Sequence, residues 1–335
     1  MPGTVLLDSL QRGGVLLALF LVEVQAVSAA TITVFDVPNA TGTFAFAIGG
    51  DGSVTGYWED ASDTDHGFVR APDGTFTAFD PKGSYGTLPY AINGKEEVTG
   101  TYNDSQSNPH GFVRKADGKI TLFDVAGATE TVPEGINNAG SIAGTWVDNS
   151  GIYHGFVRTA DGTITSFDPK GSTGTFGDAI NAGGDITGSY SDSSGATHGF
   201  VRSAAGKITS FDVSGTTATY PDAINSASDT TGFWVNGDSL QGFVRAADGT
   251  ITTFDPKGSI GTEPYGIDDK GTITGAWTTS SERVRGFVRS PNGAIKTFDA
   301  SQSSYTVPDG INKSGAITGF FVDSSGSDES FLRTP

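Results

Sequence analysis

The sequence predicts an all-β protein, a seven-bladed β-propeller of four-stranded antiparallel blades closed by pairing of its N-terminal strand with the C-terminal blade. Three observations carry this expectation. Gly-Phe-Val-Arg or a variant begins at Gly67, Gly111, Gly155, Gly199, Gly242 and Gly286 and ends as Ser330-Phe331-Leu332-Arg333, in steps of 44 residues with one of 43. Phe-Asp keeps the same beat at Phe35, Phe79, Phe123, Phe167, Phe211, Phe254 and Phe298. Between these phrases the chain falls into short β-rich runs separated by turn residues, with no sustained helical periodicity.

Residues 1–29 stand outside the repeat. Arg12 precedes the apolar run from Val15 to Val22, and the small residues Ala26-Val27-Ser28-Ala29-Ala30 follow. This is the layout of a secretory signal peptide with cleavage after Ala29 or Ala30. The run is too short to span a bilayer well, and no later segment approaches that length, so no membrane span is expected. Residues 30–335 then form one domain of seven repeats of about 44 residues.

Within each repeat four runs follow in order. In residues 174–212 these are Gly-Thr-Phe-Gly-Asp-Ala-Ile-Asn, Asp-Ile-Thr-Gly-Ser-Tyr, His-Gly-Phe-Val-Arg and Lys-Ile-Thr-Ser-Phe-Asp. The third and fourth are joined in several repeats by Asp-Gly, as at Asp73-Gly74 and Asp161-Gly162, the strongest short hairpin signal. Four strands joined as a meander and repeated around an axis make a propeller. Aromatic residues stand two after the glycine of the second run (Trp58, Tyr102, Trp146, Tyr190, Trp234, Trp277 and Phe321) and read as inter-blade core. The recurring Arg of Gly-Phe-Val-Arg and Asp of Phe-Asp read as a structural ion pair. The repeat starts on a fourth-strand run, Thr31 to Asp36, and ends on a third-strand run at Arg333. Pairing these two runs would leave no open sheet edge.

Composition narrows the partners. There is no cysteine, which removes disulfides, thiolate metal sites and cysteine nucleophiles. The net charge is -18, from 38 acidic and 20 basic residues, which argues against nucleic acid. The acidic residues are dispersed among Gly, Ser and Thr and read as a solvated surface. No phosphate-binding glycine fingerprint and no nucleophile elbow is present.

The phrases Ala-Ile-Asn-x-x-Gly, Ile-Thr-Gly-x-aromatic and His-Gly-Phe resemble the bacterial extracellular repeats of the HAF family. The likeness spans the whole chain after residue 29. It departs in having Gly for the middle Ala of His-Ala-Phe and in losing the His in the last three repeats. The resemblance implies an exported propeller-like repeat protein, extracellular or periplasmic, and implies no defined activity.

Three groups are candidate sites. Two residues before the first-run Ile, or its equivalent, stand Phe46, Tyr90, Glu134, Asp178, Asp222, Tyr265 and Asp309. If the first strand is innermost, these ring the axis, and carboxylates beside aromatic faces suit a sugar, a cation or Ca²⁺. A hydrated polar tunnel is the simpler account, and an acid–base pair the more demanding one. In the second group each His precedes Gly-Phe with an Asp six residues earlier: Asp60 and His66, Asp104 and His110, Asp148 and His154, Asp192 and His198. These are weak candidates for a divalent metal, and a hydrogen bond stiffening the hairpin is the favoured reading. The later repeats have Gln241, Arg285 and, as read here, Ser330 where His is expected. The third group is Lys82, Lys170 and Lys257 in Asp-Pro-Lys-Gly-Ser, read as solvated.

The leading expectation is an exported, monomeric, non-catalytic module that binds a glycan or protein on one loop face and needs no cofactor, Ca²⁺ or another divalent metal being the one its side chains suit. A sevenfold repeat spreads its chemistry over similar sites, which points away from catalysis. The alternatives are a carbohydrate- or lactone-acting hydrolase or lyase with a metal or carboxylate site at the channel mouth, and a purely structural cell-surface protein.

Overall fold

A computed structural model describes residues 30–216 and 218–335; the predicted signal peptide lies outside them. The described residues form an all-β propeller of four-stranded antiparallel sheets with no helix. One sheet runs from the innermost strand Gly42–Ile48 through Val54–Glu59 and Asp65–Arg70 to the outer strand Phe76–Phe79. Three later repeats, beginning at Gly86–Ile92, Glu130–Ile136 and Ser172–Ile180, do the same. Beyond them, single parallel bridges join neighbouring four-strand groups into one 12-stranded set, Leu240 to Gly261 and Val284 to Tyr305. Strand Thr31–Phe35 pairs antiparallel with Asp328–Thr334, Thr31 opposite Thr334 and Phe35 opposite Ser330.

The repeated phrases have separate jobs at the sheet-to-sheet contacts. The phenylalanines Phe112, Phe156, Phe200, Phe243, Phe287 and Phe331 are fully buried. Each meets the Phe-Asp ring of the preceding repeat edge-on, as Phe112 meets Phe79 with centroids 5.8 Å apart at 69°. Such a contact is worth about 0.5–1.5 kcal/mol beyond area burial. Glycine beside it is required, because a Cβ at Gly67 would come within 2.8 Å of the Phe79 ring.

The recurring Arg differs from expectation. Its guanidinium lies over the Phe-Asp ring of the preceding repeat, Arg158 4.7 Å from the centroid of Phe123 and Arg114 5.0 Å from that of Phe79. It makes no ion pair with the Phe-Asp carboxylate. The planar, weakly hydrated guanidinium suits an aromatic face, and the Asp is engaged elsewhere, as described below.

A ladder of Asn side chains binds the sheets near the axis. Asn93 Oδ1 accepts the amides of Lys95 and Glu97 and so shapes its own turn. Its Nδ2 donates to the carbonyl of Asn137 in the next sheet at 2.9 Å. Asn137 donates to Asn181, Asn181 to Asn225, Asn225 to Asp268, and Asn312 to Gly49. The donor is missing only where Gly49 and Asp268 replace Asn.

The contact between the first and last repeats carries its own lock. Five innermost strands have Pro at this position (89, 133, 221, 264 and 308) and one has Gly177, whereas the first has Ala45. Ala45 is buried and has an amide hydrogen that Pro lacks. That amide donates to Ser330 Oγ at 3.0 Å, and the hydroxyl donates to the Thr43 carbonyl at 2.8 Å. Ser330 occupies the register held by Gly elsewhere, where a Cβ at Gly286 would lie 2.9 Å from the Pro308 ring. The two departures from the repeat therefore compensate each other.

Two outcomes follow from these contacts. Ser330→Gly orphans the Ala45 amide and costs about 1–3 kcal/mol. Ala45→Pro alone also destabilises, by crowding Ser330, and the double variant recovers most of the loss. Denaturant unfolding of the four proteins checks this, and additive losses would refute the lock. Arg158→Ala lowers the melting temperature, because it uncovers the Phe123 ring at a cost of about 0.5–2 kcal/mol; an unchanged melting temperature would refute that assignment.

Candidate active site at the channel axis

Each axial candidate is the extra residue of a β-bulge in an innermost strand. Register shifts between Ala45 and Ala47, Pro89 and Ala91, Pro133 and Gly135, and Gly177 and Ala179 set Phe46, Tyr90, Glu134 and Asp178 out of the ladder. Shifts between Pro221 and Ala223, Pro264 and Gly266, and Pro308 and Gly310 do the same for Asp222, Tyr265 and Asp309. A bulge re-aims a side chain that the pleat would otherwise send between sheets.

The bulge depends on the second-strand glycine. Gly56, Gly100, Gly144, Gly188, Gly232, Gly275 and Gly319 sit so close under the bulging strand that an added Cβ would run into its carbonyl oxygen, as Gly56 into that of Phe44. The Gly of Ile-Thr-Gly is thus a packing requirement of the axial ring.

All seven axial residues line one hollow of about 250 Å³. A second hollow of about 260 Å³ lies at the Asn ladder and shares Ile136, Ile180, Ile267 and Ile311 with the first. Isoleucines therefore separate an acidic, aromatic chamber from the turn end of the channel. Aromatics gather on one side of the chamber. The Phe46 centroid lies 5.5 Å from that of Tyr57 and 6.2 Å from that of Tyr90, while Phe44 stacks on Tyr57 at 4.7 Å. Carboxyls occupy the other side, with the Tyr265 hydroxyl donating to Glu263 Oε2 at 2.9 Å.

The surroundings make these carboxyls hard to ionise. Burial, with the neighbouring Asp178 charge adding to it, pushes Glu134 up to about 8. Burial pushes Asp178 up to about 7. Asp222 is raised well above the usual range by burial and by the charges of Asp178 and Glu263, and Asp309 by burial. The Oδ2 atoms of Asp222 and Asp309 are buried with no hydrogen-bond partner.

The histidines form a different arrangement from the one expected. His66 lies between two carboxylates, Nδ1 2.8 Å from Asp80 and Nε2 3.5 Å from Asp60. His110 does the same with Asp124 and Asp104, His154 with Asp168 and Asp148, and His198 with Asp212 and Asp192. The Phe-Asp carboxylate thus serves the His in these four repeats, while the Arg lies over the Phe ring in repeats with and without a His. Asp60 Oδ1 also accepts the amides of Ser62 and Thr64 and builds the hairpin turn. The His ring rests on the second-strand aromatic, Trp58 4.6 Å from His66 and Trp146 4.6 Å from His154. Those aromatics therefore support the His pins as well as packing in the core.

Arg285 stands in for His. Its Nε and Nη2 donate to the two oxygens of Asp299 at 2.8 and 2.9 Å, and its guanidinium lies 5.7 Å from the Trp277 ring centre. A planar nitrogen-bearing side chain resting on an aromatic and held by the Phe-Asp carboxylate therefore recurs in five repeats. In the last repeat the His register is held by Glu329, opposite Phe321, and not by Ser330. Among the described residues, no three His, Asp or Glu side chains converge as a metal ligand set. Lys257 lines a separate surface hollow with Trp277 and Arg285.

No protein-family model matches the sequence, and no curated protein does. Solved structures match along nearly the whole chain. A catalytically inactive variant of virginiamycin B lyase from Staphylococcus aureus, solved with quinupristin, is 16% identical with a TM-score of 0.62. The match covers 92% of this chain and 100% of that one. The β-propeller domain of the Trilobed protease from Pyrococcus furiosus is 9% identical with a TM-score of 0.61, covering 87% of this chain and 95% of that one. At these identities the likeness establishes the propeller fold.

The expectation of a non-catalytic module is corrected here. Neighbours that share the fold over their full length include a lyase, so regular propeller geometry does not point away from catalysis. The repeat also fails to make seven alike axial positions, because the bulge residue differs from sheet to sheet.

The raised values fix the sign of the pH dependence. A carboxyl whose folded pKa lies above its unfolded value binds its proton more tightly when folded, so stability falls as pH rises from about 4 to about 8. His198 works in the same direction. Its hydrogen bond to Asp212, with Asp192 beside it, outweighs partial burial and raises its pKa, so its contribution is full below about 6.5 and is lost above it. The melting temperature is expected to fall between pH 5 and pH 9. Glu134→Gln and Asp178→Asn flatten that fall, and a slope unchanged in both would show that the axial carboxyls titrate normally.

Proposed function

We propose that the chain is a lyase or hydrolase of C–O bonds in lactones or carbohydrates, working by acid–base chemistry between Glu134 and Asp178. The reading extends to a seven-bladed ring closed by Thr31–Phe35, formed by residues 30–335 of an exported HAF-type repeat protein. The pairing of Thr31–Phe35 with Asp328–Thr334 and the bond from Asn312 to Gly49 support the closed ring.

The observation that carries the catalytic reading is the placement of two carboxyls from adjacent innermost strands, both bulged into one chamber. Their different environments suit them to different roles. We assign Asp178, raised by burial alone, as the base, and Glu134, raised by burial and by the Asp178 charge, as the acid. In elimination, Asp178 takes a proton from the carbon next to the one bearing the leaving oxygen. The C–H electron pair becomes the new C=C bond, the C–O bond breaks, and Glu134 gives its proton to the leaving oxygen. No water is consumed, and solvent returns both groups to their starting states. The aromatic side of the chamber offers a face for the ring of the substrate.

Lactones, cyclic depsipeptides and uronate polysaccharides form the test panel, with ring opening followed chromatographically and new C=C bonds by ultraviolet absorbance. Glu134→Gln and Asp178→Asn are each expected to lower kcat/KM by about 10²–10⁴. The wild-type profile should peak between about 7 and about 8. Full activity in both folded variants, or no turnover of any member of the panel, would overturn the assignment.

A further inference from the structure

We propose that the axial chamber receives an organic ammonium group, and that Asp222 and Asp309 hold it while the aromatic side of the chamber covers it. This deepens the reading above, because it rests on the same chamber being the reaction site. It assigns the substrate a positive charge and gives two carboxyls that the acid–base pair does not use a role of their own.

Four carboxyls and three aromatic rings face the chamber, and no Lys, Arg or His does. No basic side chain of the chamber, then, pairs with the carboxyls. The Oδ2 atoms of Asp222 and Asp309 are buried and accept no hydrogen bond. Most buried polar atoms in folded proteins are paired, so an unpaired pair of acceptors facing one chamber asks for a donor from outside. A neutral hydroxyl would meet one of them. An ammonium group meets both, with several N–H donors and with charge.

The aromatic wall narrows the choice further. Phe46, Tyr90 and Tyr265 share the ring with the carboxyls, and Tyr57 packs tilted against Phe46. A cation held against such faces gains further attraction, more so where water is excluded. A bare divalent metal is a poorer fit, because no three carboxyls converge on one point. The chamber of about 250 Å³ admits a small group and not a folded partner. The net charge of -18 would draw a cationic ligand toward the protein.

Cyclohexylammonium and cyclohexanol form a matched pair of probes, alike in shape and differing in charge, and calcium chloride is the third probe. Calorimetric titration at pH 8 should show cyclohexylammonium binding and cyclohexanol not binding. Because the carboxyls facing the site hold protons in the empty chamber, binding should release protons and tighten as pH rises. Titration in two buffers of different ionisation heat measures that release on the unaltered protein. Asp222→Asn and Asp309→Asn keep the side-chain volume and remove the charge, and each should weaken cyclohexylammonium at least tenfold with the melting temperature maintained. Equal binding of cyclohexanol, binding of calcium in preference to the amine, or unchanged affinity in both variants would overturn the proposal. Failure here leaves turnover of uncharged substrates through Glu134 and Asp178 intact. Amine binding without turnover of any substrate would instead sink the catalytic reading alone.

Discussion

The close approach of each innermost strand to the glycine beneath it is the constraint on which the rest of the molecule depends. At Gly56 and its six equivalents there is no room for a Cβ, because the bulging strand puts a carbonyl oxygen there. The extra residue of the bulge has no ladder partner and turns to the axis. A side chain larger than hydrogen at the glycine would push the strand away and return the axial residue to the pleat. The absence of a Cβ on the second strand therefore leaves room for the bulge that sets a side chain of the first at the axis.

Around that axis the sheets are held by interactions that each cross to a neighbour. The Asn side chain finishes its own turn and then bonds to the next turn. The buried Phe meets the preceding Phe-Asp ring at its edge, and the following Arg covers that ring's face. With no cysteine in the chain, these contacts and the burial they produce take the place of covalent ties. The imidazole between two carboxylates, or the guanidinium on one, adds a polar pin at the outer hairpins. Since the pin is filled by His in four repeats and by Arg285 in another, its planar geometry and N–H donors matter more than the ability to bind a metal.

The axis combines regular scaffolding with irregular content. The same bulge delivers Phe46 and Tyr90 from neighbouring sheets, then Glu134, Asp178 and Asp222 from the next three. Carboxyls confined together in a half-dry space resist ionisation, so the arc is also a reservoir of protons near neutral pH. Sequence reading found this ring because a side chain two residues before a recurring Ile is easy to compare across repeats. It missed the Asp80 class of His partners, because that Asp lies 14 residues from His66 and meets it across the hairpin of the third and fourth strands, whereas the sequence comparison paired His only across the hairpin of the second and third.

The period, the turn residues and the alternation of apolar positions by themselves determined an all-β propeller of four-stranded antiparallel sheets, because strand formation and hairpin chemistry are local. They also determined which side chains occupy the axial positions. Only the tertiary structure decided which group each charged residue meets. Arg and Asp recur together in every repeat, and their shared beat suggests a pair. In space the guanidinium crosses to the aromatic face of the preceding repeat, and the carboxylate turns to an imidazole in four repeats and to Arg285 in a fifth. Partner choice depends on the distance and direction between sheets, and a repeat sets these equally for every candidate partner. Likewise Ser330 is a misspelled glycine until the fold brings it to the amide that Ala45 has and proline lacks.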